Sequence, residues 1–176
     1  MAIEDQYIQL VSLWNTFDSA NDLADIEDLT FQNIARSAQV SKASPWDTDL
    51  NPRPPLIVVQ AHFEFATAPV VDENVQVWLA DYGEANEEAP NSIIGGTTEA
   101  QLSNLNALYG CKLAGQARVA STTAADNVGF TATLEWSSPQ IQILVLNNSA
   151  ADNLVNSASL SWVKIWNAVY RRQVVA

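Results

Sequence analysis

Hydrophobic and polar residues alternate along much of this chain, with the period of two that marks a half-buried strand. Between Val128 and Trp136, the residues Val128, Phe130, Ala132, Leu134 and Trp136 interleave with Gly129, Thr131, Thr133 and Glu135. Leu56 to Ala66 repeats the pattern. There Ile57, Val59, Ala61, Phe63 and Phe65 fall on one side and Gln60, His62 and Glu64 on the other, in the β-branched and aromatic company that strands favour. The same reasoning predicts strands over 35–41, 74–80, 108–121 (Tyr109, Cys111, Leu113, Ala117 and Val119 on one face), 140–146 and about 159–170. Turn formers separate them: Ala68-Pro69, Asp72-Glu73-Asn74, Ala125-Asp126-Asn127, Ser137-Ser138-Pro139 and Asn147-Asn148-Ser149. Short strands punctuated in this way predict an all-β protein, an antiparallel β-sandwich. Seven are counted, and an eighth from the N-terminal segment would make the sandwich jelly-roll-like.

The N-terminal segment is ambiguous by pattern. Tyr7, Leu10, Val11, Trp14 and Phe17 have helical spacing, whereas Ile8, Leu10 and Trp14 also suit a strand. Residues 18–28 hold five acids and no base, which suits an acidic connector or a short helix. The expected organisation is therefore an N-terminal extension or arm over 1–28 and a β-sandwich domain over 29–176. Four prolines between Ser44 and Pro55 make a stiff extended lead into the first confident strand. The stretch from Asp81 to Asn106 reads as a long acidic loop, of a length that often marks function or mobility.

Charge narrows the partners. Twenty acids against eight bases leave a net charge of −12, which repels a phosphate backbone, so no nucleic-acid partner is expected. The charge is uneven: residues 1–105 carry 17 of the acids and 3 of the bases, and the remainder is slightly basic. No apolar run approaches the roughly 20 residues of a membrane helix, and the start Met1-Ala2-Ile3-Glu4-Asp5 lacks the features of a signal peptide. With Cys111 as the single cysteine, synthesis in a reducing cytoplasm is expected, without a disulfide.

Chemistry-bearing constellations are sparse. His62 shares a strand face with Gln60 and Glu64, but a histidine without a ligand cluster is most often structural. Asp47-Thr48-Asp49-Leu50-Asn51 starts like a calcium loop, yet Pro52 stands where that loop needs glycine and Val58 where it needs glutamate. Cys111 is expected on an apolar strand face, where burial keeps a thiol inert. The carboxylate pairs Asp72-Glu73 and Glu87-Glu88 lie in loops and are expected to be solvated. No enzyme is expected, and no catalytic, cofactor-binding or metal-binding residue is assigned.

The aromatic C-terminus is the strongest interaction signal. Leu160, Trp162, Trp166 and Tyr170 face one way along the last strand, and Val163, Ile165 and Val169 the other. Such a strand is either core on both sides or meets another subunit on one. Trp, Tyr and Arg are the residues enriched at interface hot spots, so the candidate interface residues are Trp14, Trp162, Trp166, Tyr170, Arg171 and Arg172.

The order of these elements resembles a known family. A strand ending in Phe65-Ala66-Thr67-Ala68-Pro69 precedes Val75-Gln76-Val77-Trp78-Leu79 and a variable acidic loop. Leu113-Ala114-Gly115, a Phe-x-x-x-Leu-x-Trp strand and Ile143-Leu144-Val145-Leu146-Asn147-Asn148-Ser149-Ala150 follow. Over roughly residues 30–172 this resembles the capsid decoration or cement proteins of tailed bacteriophages. The resemblance implies a structural virion protein on the capsid exterior that binds and stabilises the lattice of major capsid protein, as a homo-oligomer, expected to be a trimer. A phage tail, fibre or baseplate component and a glycan-binding β-sandwich module, with Trp78 and Tyr82 as its nearest aromatic candidates, are the alternative readings.

Overall fold

Every described strand of this protein pairs antiparallel with its neighbours. The computed structural model describes residues 3–18, 33–36, 55–80, 100–101, 108, 110–120, 122, 127–136, 141–149, 153–155, 157 and 159–175. They form β1 (Ile3–Asp18), β2 (Asn33–Arg36), β3 (Leu56–Glu64), β4 (Asn74–Ala80), β5 (Ala100–Gln101), β6 (Lys112–Arg118), β7 (Asn127–Glu135), β8 (Gln142–Asn147) and β9 (Trp162–Val175). One sheet has the order β1-β9-β3-β7 and the other β5-β2-β8-β4-β6. With the two-residue β5 set aside, the first strand pairs with the last, the second with the second-last, and so inward to β4 and β6. That is a long antiparallel hairpin wound into two sheets, the jelly-roll topology of an all-β sandwich.

Period two becomes a core where the inward faces meet. Ile57, Val59 and Phe63 of β3, Val75, Val77 and Leu79 of β4, Ile143 and Val145 of β8, and Val163 and Ile165 of β9 are fully buried in one cluster. Each such side chain contributes roughly 1.5–3 kcal/mol by leaving water. Strands with a neighbour on both sides carry apolar groups on their outer faces as well. Leu144 and Leu146 of β8 join Ala80 and Leu108 in a second cluster, and Leu56, Val58 and Ala168 form a third.

The N-terminal segment supplies a strand. Residues 3–18 run along β9, and the fully buried Phe17 ties the end of β1 into the main core. Two register shifts, between Leu10 and Ser12 and between Leu13 and Asn15, interrupt the pairing. The strand expected over 35–41 is β2 at Asn33–Arg36, and its remainder lies outside the described residues.

Three local expectations need correction. The strand expected over 108–121 is confined to Lys112–Arg118, because Gly110 takes a positive φ of 85° and Cys111 N–H closes a turn on the Leu108 carbonyl. Leu113 is exposed instead of sharing the apolar face. Val77 opposes Gly115 while Trp78 opposes Leu113, so Ala114 is an extra residue, and this bulge turns Leu113 outward. The last strand starts at Trp162 and not near Ser159, since the Leu160 and Ser161 amides both bond to the Ser157 carbonyl in a turn.

Candidate functional site

Among the described residues two exposed apolar surfaces stand out, one at each end of β3. The first follows from strand lengths. β3 pairs with β9 only from Trp162 to Ala168, so among the described residues the rest of β9 pairs with β1 alone, and the two strands continue as a two-stranded ribbon. Residues opposite each other in the ladder share a face. Ile8 opposite Tyr170, Leu10 opposite Ala168, and Leu13 opposite Trp166 therefore line the outer face of the sheet. Ile8 and Leu10 are 40% exposed, Leu13 45% and Tyr170 54%. Tyr7 is exposed on the other side of the ribbon, next to Arg171, whose Nε donates to Gln9 Oε1 at 2.9 Å.

Farther along the same outer face the side chains engage one another. Trp162 stacks on His62 with ring centroids 5.7 Å apart, and Lys164 Nζ sits 4.4 Å from the centre of the Trp162 ring. His62 Nδ1 lies 2.9 Å from the Leu160 carbonyl oxygen; a carbonyl only accepts, so Nδ1 carries the proton. Trp166 packs against Leu56, Val58 and Ala168, and its Nε1 donates to Gln60 Oε1 at 2.7 Å. Trp162 and Trp166 thus lie outside the sandwich core, half-buried, with their ring faces and polar edges used by their own chain. Of the six residues singled out by sequence, Trp162, Trp166, Tyr170 and Arg171 share β9, with Tyr170 and Arg171 exposed. Trp14 stands at the second register shift of β1 and Arg172 near the end of β9; both side chains lie outside the described residues. Sequence reasoning missed Ile8, Leu10 and Leu13 because a short apolar pattern does not reveal which strand takes an edge.

The second surface is the turn between β3 and β4. Val70 and Val71 are 58% and 44% exposed. Their presentation is tightly held: Val70 N–H donates to Glu73 Oε2, Glu73 N–H to the Val70 carbonyl, Asp72 N–H to the Val119 carbonyl, and Val119 N–H to the Glu73 carbonyl. Asp72 adopts φ 78°, a conformation that short polar side chains tolerate, and its carboxylate pairs with Arg118 at 2.8 Å. The carboxylates of Asp72 and Glu73 are thereby committed to the turn.

The remaining candidates have structural partners too. Cys111 packs against Ala80, Leu108, Leu144 and Leu146, and burial pushes its thiol up to about 11, so the reactive thiolate is scarce at neutral pH. Trp78 packs on the same cluster and its Nε1 donates to Gln76 Oε1; Tyr82 lies outside the described residues. Asn147-Asn148-Ser149 matches the Asn-x-Ser pattern of N-glycosylation, but Asn147 and Ser149 are fully buried, with the Ser149 amide bonded to Asn147 Oδ1, out of reach of a modifying enzyme. The calcium-loop-like residues 47–51, the pair Glu87-Glu88 and, apart from β5, the stretch 81–106 lie mostly or wholly outside the described residues. Among the described residues no three His, Cys, Asp or Glu side chains form a group able to hold a metal ion.

No family model matches this chain, and no curated protein matches it. Among solved structures it is similar to the crystal structure of murine APRIL at pH 8.5, with 9% sequence identity over 94% of this chain and 99% of that one and a TM-score of 0.41. A likeness of that size carries no functional information.

Proposed function

We propose that this chain is a structural virion protein that seats on the outside of a bacteriophage capsid and stabilises the lattice of its major capsid protein. The observation that carries the reading is the pair of separate apolar surfaces, the β1–β9 ribbon and the Val70–Val71 turn, on a jelly roll of net charge −12. High negative charge keeps free copies apart in solution, as a protein needed in many copies requires. A protein that fastens a lattice needs one surface for the lattice and another for linking, since linked copies bind with an effectively intramolecular second contact. The rigid turn is assigned to the shell. Three backbone–backbone hydrogen bonds and the Val70 amide's bond to the Glu73 carboxylate hold the turn in place before binding, so little ordering entropy is lost on contact.

The test is saturable co-sedimentation of the purified chain with shells stripped of accessory proteins. Wild type is expected to bind in fixed proportion to capsomers, and a Val70→Asp, Val71→Asp variant to lose that binding while keeping its fold. A wild-type chain that leaves shells bare at every concentration overturns the reading.

A further inference from the structure

We draw no further inference here: the strongest candidate, the open edge and exposed apolar outer face of the β1–β9 ribbon at Ile8, Leu10 and Tyr170, carries nothing because nothing in the structure shows what covers it.

Discussion

The sheet β1-β9-β3-β7 has two edges, and they are built in opposite ways. β7 pairs with β3 along its full length, from Asn127 opposite Glu64 to Glu135 opposite Leu56, so it never leaves the body of the sandwich. Its outward residues, Asn127, Gly129, Thr131, Thr133 and Glu135, are all exposed and none is a large hydrophobe, whereas Val128 is buried and Phe130 and Leu134 pack on the core. β1 outruns β3, presents Ile8, Leu10 and Leu13 outward, and returns to the core at Phe17. An edge finished with threonine, glycine and glutamate faces water at little cost. An edge finished with leucine and isoleucine gains about 25 cal/mol for each Å² of apolar surface that a partner covers. The contrast teaches that one edge of the sheet is finished with small and polar residues and the other, among the described residues, with exposed apolar ones.

That comparison can be broken most severely at its anchor. Phe17 of β1 is fully buried, and Phe17→Ala is expected to lower folding stability by about 3–5 kcal/mol, read from chemical denaturation. If the loss is near zero, β1 is an appendage to the sandwich and not one of its walls. At the other edge, Gly129→Ala sets a Cβ 2.6 Å from the Ala61 carbonyl oxygen, which is backbone and yields little. A loss of about 1–3 kcal/mol is expected, and its absence would show that β7 sits more loosely on β3 than its register implies. Thr131→Lys, on the solvent side of β7, is expected to change stability by no more than about 0.5 kcal/mol.

A pH series supplies a baseline common to both edges. Burial raises the Cys111 thiol from 9.0 to about 11, so the folded state holds its proton where the unfolded chain has lost it. The stabilisation is therefore complete below pH 9 and falls away as pH rises toward 11. A denaturation series across that interval should decline in wild type and decline less in Cys111→Ala, with edge variants following wild type.

Much of the architecture was legible because alternation is a local property. The predicted strand at 74–80 coincides with β4, and Ile57, Val59, Ala61 and Phe63 all point inward from β3 as their spacing required. Leu113 was misread because a single extra residue at Ala114 reverses a face, and a bulge leaves no mark on hydrophobic spacing. Trp162 and Trp166 share the outer face of their sheet, as a period of two requires. Their polar and cationic partners, Gln60 and His62 on β3 and Lys164 on β9, include residues a hundred positions away, and that distance hides the pairing from any window of sequence.

By itself the sequence determined that this is an all-β sandwich, since period-two patterning and turn chemistry act over a few residues and survive in any register. It also determined the acidic balance of 20 acids against eight bases. Only the tertiary structure decided that β1 lies against β9 at an edge, that the pair outruns β3, and that Ile8, Leu10, Leu13 and Tyr170 share an outer face. Edge or centre, covered or open, is a property of which strands become neighbours, and those neighbours are chosen by packing between residues at opposite ends of the chain.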